Sequence, residues 1–274
     1  MKLETLKRIF RNRRDNIWGR CNICGKRTFF FTKDAREKGH LRDSLYCTWC
    51  KSVSRKRHVA KAIVERFAPQ FDSLAQARTA LRPFSIYSAV ANDLFDKMIG
   101  EGNESFISSE FFPNVPAGEK KNGVICEDLE RLSFADETFD LVLTEDVLEH
   151  VRHPQRAFAE IFRVLKPNGY HIFTIPFYFD RKTTARVDTT AGEDVYLMPP
   201  EYHGDTLRDQ ILVYTDFGYD LLGQLSTLGF KTEISFSAHQ DAVRYGIADS
   251  YVFISSKCAA ARDARQTHAE GDAT

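Results

Sequence analysis

Between Arg82 and Lys257, short apolar runs alternate with stretches whose apolar positions recur every three or four residues. Short apolar runs bounded by turn residues read as buried strands, and the longer recurrence reads as one face of a helix. This places strands at Phe84–Ser88, Ser105–Ser109, Gly123–Cys126, Phe139–Thr144, Tyr170–Ile175, Lys231–Ser237 and Ser250–Ser256. The clearest helix is Pro154–Leu165, with proline in its first turn and Phe158, Ile161, Phe162 and Leu165 on one face. Lys166-Pro167-Asn168-Gly169 then breaks the pattern. Another helix is expected from near Asp216, turning Phe217, Leu221, Leu225 and Leu228 inward and stopping at Gly229. Earlier, Val59 to Phe67 reads as a bridging helix, and residues 1–20 as a basic amphipathic helix with Leu3, Leu6, Phe10 and Ile17 in register. Alternating strands and helices predict an α/β domain over a mostly parallel sheet. A hairpin between the last two runs would bring the final strand in antiparallel.

Composition changes this picture little. The 274 residues carry 38 basic and 38 acidic side chains, so no global charge draws the protein to nucleic acid or a membrane. No apolar run approaches the roughly 20 residues that span a bilayer, and no signal sequence is evident at the start; a cytoplasmic, non-membrane protein is expected. Local charge is another matter. Lys2, Lys7, Arg8, Arg11, Arg13, Arg14 and Arg20 make an electropositive arm, and Arg55-Lys56-Arg57-His58 makes a second basic run, read as a solvated face docking on the main domain or a partner. The segment after Cys258 lacks apolar periodicity and reads as a disordered tail, residues 259–274.

Four of the six cysteines form two pairs, Cys21-Asn22-Ile23-Cys24 and Cys47-Thr48-Trp49-Cys50, separated by 22 residues. Two intervening residues let both thiolates of a pair reach one ion from a tight turn, and two such turns close a tetrahedral four-sulfur zinc site with no open position. Gly25 eases the first turn. Cys21, Cys24, Cys47 and Cys50 are therefore the expected ligands of one structural zinc, in a module spanning residues 1–58 with the basic arm. Residues 59–80 then form a connecting helix and residues 81–258 the main domain.

Residues 123–176 hold the most specific pattern. Asp128-Leu129, Leu132-Ser133-Phe134, Phe139-Asp140-Leu141-Val142, Val147–Val151 and Arg163–Gly169 follow in an order that closely resembles the UbiE-like, type 11 class I methyltransferases. The resemblance implies a Rossmann-like, seven-stranded class I methyltransferase sheet and S-adenosyl-L-methionine as methyl donor. In that family a carboxylate after strand three, here Asp128, holds the adenine amino group, with adjacent backbone N–H groups such as that of Leu129 on the ring nitrogens. A carboxylate after strand two, here Glu110, can accept both ribose hydroxyl protons. Ser88 and Ala89 after strand one and Thr144 at the end of strand four complete the expected cofactor contacts. One departure stands out: the family's glycine-rich first loop is here Ser88-Ala89-Val90-Ala91-Asn92-Asp93, without glycine, so backbone approach to a cofactor is hindered though not blocked. A subgroup of zinc-ribbon methyltransferases is similar to this chain in having a degenerate first loop, and in Pro199–Asp205 and Thr215–Asp220.

Methyl transfer from a sulfonium needs positioning above all, and a general base when the acceptor is a hydroxyl. His150, beyond strand four, is one candidate. His203, with Asp205 to orient it, is the other. His203 lies in the segment 177–213, which is too long and polar for a simple connection and reads as a substrate lid carrying Tyr178, Arg181, Arg186 and Tyr202. The leading expectation is methylation of oxygen on a small polar acceptor of glycan or natural-product type. RNA methylation with the ribbon gripping phosphates is the alternative, and a non-catalytic binding protein with the same fold is the third reading.

Overall fold

All seven apolar runs become strands of one sheet. The structure, a computed structural model, describes residues 17–33, 41–190, 193–204 and 210–258. In chain order the sheet uses β4 (Ile86–Ser88), β5 (Phe106–Glu110), β6 (Lys120–Lys121), β7 (Val124–Cys126), β8 (Phe139–Glu145), β9 (Leu165–Thr174), β17 (Phe230–Phe236) and β18 (Tyr251–Lys257). Ahead of them lie the ribbon strands β1 (Ile17–Arg20), β2 (Arg27–Phe31) and β3 (Tyr46–Cys47). The large sheet is ordered β17-β18-β9-β8-β4-β5-β7-β6. β4, β5, β7, β8 and β9 run parallel, whereas β18 is antiparallel to both of its neighbours and β6 is a two-residue antiparallel edge strand. The chain thus begins in the middle at β4, builds outward through β5 and β7, and returns to β8 on the other side. Such a reversal opens a crevice at the carboxyl ends of β4 and β8.

Side chains alternate across the strands, and both faces are apolar because both are covered. Leu141 and Leu143 of β8, Ile172 of β9, and Val252 and Ile254 of β18 face α1 (Ser54–Phe67) and α2 (Leu74–Leu81), meeting Val59, Ile63, Leu74, Ala77 and Leu81. Their sequence neighbours Val142, Phe173 and Phe253 face the other way. There they meet Phe158 and Ile161 of α3 (Pro154–Val164) and Leu221 and Leu225 of α4 (Leu221–Thr227). α3 starts at the expected proline and stops one residue short of Leu165, where β9 begins. The Lys166–Gly169 break is absorbed as an irregularity in pairing between β8 and β9.

Two expectations are corrected. Ile17 to Arg20, expected as the end of a helix, pair with β2 as a strand. Residues 1–16, carrying most of the basic arm, lie outside the described residues, as does the tail 259–274. The helix expected from Asp216 begins at Leu221, because Thr215–Gly218 forms strand β16 with two partners from the preceding segment, β10 (Phe177–Tyr178) and β11 (Thr184–Ala185). Gly218 permits that approach: a Cβ there would lie 2.1 Å from the Arg181 carbonyl oxygen.

The ribbon strands order as β1-β2-β3 and share their core with the sheet: Cys21, Ile23, Phe30, Leu45 and Cys47 belong to the same buried cluster as Val59, Ile86 and Leu141. The last helix, α5 (His239–Tyr245), packs on β1, and its terminating Gly246 has φ +64° with the Phe30 ring so close that no Cβ would fit.

Candidate active site and metal centre

The four paired cysteines converge. Cys21 Sγ lies 3.6 Å from Cys50 Sγ, Cys24 Sγ lies 3.9 Å from Cys47 Sγ, and all four sulfurs are within 4.8 Å of one another. Four bonds of roughly 2.3 Å to a tetrahedral ion would space sulfurs by about 3.8 Å, so the set fits zinc. The turns form as expected: Gly25 has φ +73° and its N–H donates to the Cys21 carbonyl at 2.8 Å.

The basic run that follows is not a solvated face. Arg57 is fully buried, and its guanidinium donates to the carbonyls of Tyr245 (2.8 Å), Leu45 (2.6 Å), Gly246 (2.8 Å) and Ser52, and to the Ser52 hydroxyl (3.1 Å). Burial lowers its pKa to about 10, against the pull of the neighbouring cysteine sulfurs. His58 is buried too, bonded to Ser250 and Ser235, and burial pushes it down to about 4. Lys56 and Arg55 point at the crevice. Lys56 Nζ bonds Asp93 (2.5 Å) in the loop after β4 and Glu145 (3.0 Å) at the end of β8, while Arg55 reaches Glu145 (3.2 Å), Asp43 and Asp146. Arg42 clamps Asp146 through two bonds of 2.9 and 2.6 Å. Burial opposes ionisation of Asp146, but Arg55 and Arg42 outweigh it and hold the carboxyl well below its usual range.

Around the carboxyl ends of β4, β5 and β7 stand several of the expected cofactor residues. Ser88 is buried and its hydroxyl donates to Val90 O at 3.1 Å; Ala89 N–H donates to Leu143 O. Glu110 closes β5 almost buried, and its Oε1 accepts the Ala91 N–H of the glycine-free loop at 3.1 Å. Asn92 carries that loop's turn at φ +57°. Asp128 is half-buried and accepts Glu130 N–H at 2.9 Å across its own turn, with buried Leu129 beneath. Thr144 stands apart: it is fully buried and its hydroxyl pairs with His171 Nε2 at 2.9 Å, inside the packed layer.

His150 and His203 come together although 53 residues apart in sequence. His203 lies on the hairpin of β14 (Tyr202–His203) and β15 (Ile211–Leu212), following the β12 (Val187–Asp188) and β13 (Val195–Tyr196) hairpin, and the two imidazoles meet edge to face at 5.1 Å. Between them lies Glu149, which sequence reasoning passed over as a mere neighbour of His150. It is 1% exposed, and neither carboxylate oxygen has a hydrogen-bond partner among the described residues. Burial, with Asp146 adding repulsion, raises its pKa well above the usual value. Asp205 lies outside the described residues. Of the other polar residues of this segment, Arg186 is committed to Asp216 at 3.0 Å and to the Pro199 carbonyl, and Arg181 stacks 3.4 Å over Tyr178.

Residues 74–173 match the family model described as a methyltransferase domain. That stretch of the chain is similar to a methyltransferase domain. The domain is 31% identical over 85 residues, 31% of this chain and 28% of the relative, to a malonyl-[acyl-carrier protein] O-methyltransferase of Marinomonas sp. (strain MWYL1). Over 47 residues, 17% of each chain, it is 45% identical to phthiotriol/phenolphthiotriol dimycocerosates methyltransferase 1 of Mycobacterium ulcerans (strain Agy99). The chain thus spans less than a third of the length of these curated relatives. Among solved structures, an S-adenosylmethionine-dependent methyltransferase of Mesorhizobium loti aligns at TM-score 0.41 and 19% identity, covering 67% of this chain and 98% of that one. The 1,6-didemethyltoxoflavin-N1-methyltransferase of Burkholderia thailandensis aligns at TM-score 0.37 and 14% identity, over 85% and 96%. No helix among the described residues is long and apolar enough to cross a membrane.

Proposed function

We propose that this chain transfers the methyl group of S-adenosylmethionine to an oxygen of a small polar acceptor, of glycan or natural-product type, and that its four cysteines hold one structural zinc. The observation that carries the cofactor reading is Glu110: a nearly buried carboxylate at the carboxyl end of β5, turned toward the loop after β4. Bound S-adenosylmethionine supplies an electrophilic methyl on a sulfonium sulfur. Glu110 accepts the ribose hydroxyls in place of the Ala91 N–H, and Asp128 takes the adenine amino group. Ser88 and Ala89 line the approach. Lys56, bonded to both Asp93 and Glu145, ties the glycine-free loop to the end of β8 at the mouth of the crevice. The segment 177–213 serves as a lid that excludes water, and His150 and His203 stand on the acceptor side.

Calorimetry with S-adenosylhomocysteine tests this directly. Micromolar or tighter binding is expected, weakened by roughly 1–3 kcal/mol in Glu110→Ala and in Asp128→Ala as a buried polar partner is lost. Unchanged affinity in both variants would mean the cofactor lies elsewhere, and no binding at all would leave a non-catalytic module.

The RNA reading keeps one supporting feature. Trp18 and Phe29 are exposed, their rings tilted at 59° with centroids 4.5 Å apart, and exposed Trp49 sits under Lys26 at 4.9 Å, near Arg20 and Arg27. Aromatic and basic groups interleaved in this way suit stacked bases and phosphates. Arg55, Lys56 and Arg57 are taken by internal partners, so the second basic run adds nothing to such a surface. RNA binding that falls steeply with salt would favour this alternative.

A further inference from the structure

We infer that Glu149, His150 and His203 form a second metal site, separate from the four cysteines, that takes one divalent ion of the zinc or cobalt kind. The case rests on where the ring protons lie. His150 Nδ1 is 2.9 Å from the Leu212 carbonyl oxygen, which can only accept, so Nδ1 carries a proton and Nε2 is the ring nitrogen turned toward Glu149. His203 Nε2 is 3.3 Å from Glu201 Oε1, again an acceptor, so Nε2 carries a proton and Nδ1 is the ring nitrogen turned toward Glu149. Both of these nitrogens face the same carboxylate oxygen: His150 Nε2 lies 3.8 Å and His203 Nδ1 4.0 Å from Glu149 Oε1.

The buried Glu149 carboxyl has no hydrogen-bond partner among the described residues, and a cation held between it and the two imidazoles, whose ligand atoms all lie within 4.8 Å of one another, would supply one. The separations are too long for hydrogen bonds, so a shared proton does not bridge them. An ion about 2.0–2.2 Å from each atom asks for separations of roughly 3–3.5 Å, which a closing movement of a few tenths of an ångström supplies. The outer contacts also suit a metal. Ligating imidazoles commonly donate their second N–H to a backbone carbonyl or a carboxylate, which fixes ring and tautomer, and both arrangements are present here. Glu149 is held from behind, since its backbone carbonyl accepts the Tyr214 N–H at 2.8 Å.

Two imidazoles and one carboxylate leave coordination positions open, unlike the closed sulfur shell of the ribbon. The use of the open positions rests on the proposed function: they would bind oxygens of a polyhydroxylated acceptor, and a hydroxyl on the ion would give up its proton to water more readily. His150 and His203 then act as ligands, not as bases.

Cobalt(II) titration of the full chain, after mild chelation and with the ribbon zinc retained, provides the test. One equivalent is expected, with visible ligand-field absorption and without the intense near-ultraviolet band that thiolate ligands give. His203→Ala, on an exposed hairpin, and Glu149→Gln should each weaken cobalt binding at least tenfold while S-adenosylhomocysteine affinity stays unchanged. Failure of wild-type protein to bind cobalt outside the ribbon would overturn the site, as would equal binding by wild type and His203→Ala. Because S-adenosylhomocysteine binding is measured separately, loss of the cofactor reading would leave the metal result standing, and the reverse.

Discussion

Replacing Arg57 by methionine keeps most of the buried stem and removes every donor. Four carbonyls, of Leu45, Ser52, Tyr245 and Gly246, then lose their partner inside a packed interior. Each stranded acceptor costs about 1 kcal/mol or more, and hydrogen bonds from a charged donor stand at the upper end. Against this, the variant no longer buries a guanidinium that has no carboxylate against it, which returns part of the loss. The balance is a destabilisation of about 3–5 kcal/mol, the range seen when a buried polar network loses its central member. For a chain of this size that lowers the midpoint of thermal unfolding by roughly 6–20 °C. The ribbon should also surrender its metal faster, because β3 and the last helix are no longer tied together through it. Thermal and urea unfolding measure the first effect, and capture of released zinc by a coloured chelator the second. A variant within about 1 kcal/mol of wild type, releasing zinc at the same rate, would refute the view that Arg57 ties the ribbon to the sheet domain.

Two further outcomes are expected. Cys47→Ser should take zinc in chelator-treated protein from about one equivalent to nearly none and loosen the module, since a structural ion is part of the folding free energy; full retention would refute the ligand set. Stability should also decline in acid through His171 and His58, which burial holds near pKa 3 and 4 against an ordinary 6.5. The unfolded imidazoles bind protons first, so this contribution is complete above about pH 6.5 and is lost as pH falls toward 4, with a slope of about 1.4 kcal/mol per pH unit for each. Denaturant titrations from pH 7.5 to 4.5 should therefore show a shallower slope in His171→Leu, and an unchanged slope would count against the assignment.

The sheet was readable from sequence because both of its faces are covered. Strands such as Phe139–Glu145 are apolar on consecutive positions, and only a doubly covered parallel sheet requires that. The clustering of the four cysteines was readable because their spacing is local. What stayed hidden depends on partners far along the chain. Arg55 to His58 look like any exposed basic run until Glu145, Asp93, Gly246 and Ser250 are brought to them. Thr215–Gly218 resembled a helix start because its partners, Phe177–Tyr178 and Thr184–Ala185, are too short to read as strands. Glu149 was visible in the segment that resembles the methyltransferases, yet its importance comes from a histidine on a distant hairpin, and no periodicity reports that.

The bond from Arg57 to Gly246 joins residues 189 positions apart, and the bond from Ser54 to Ala248 spans 194. At about 5–20 residues per second, a ribosome needs on the order of 10–40 s to make the intervening chain. During that interval the N-terminal module is out of the exit tunnel with the underside of Phe30 bare and a guanidinium still hydrated. All four cysteines, however, lie within the first 50 residues and need nothing made later. Capture of the proposed zinc can therefore come early and hold the knuckles in shape, while docking waits for the last helix and strand. Without the proposed zinc, a nascent chain would present loose thiols and uncovered aromatic surface throughout that wait.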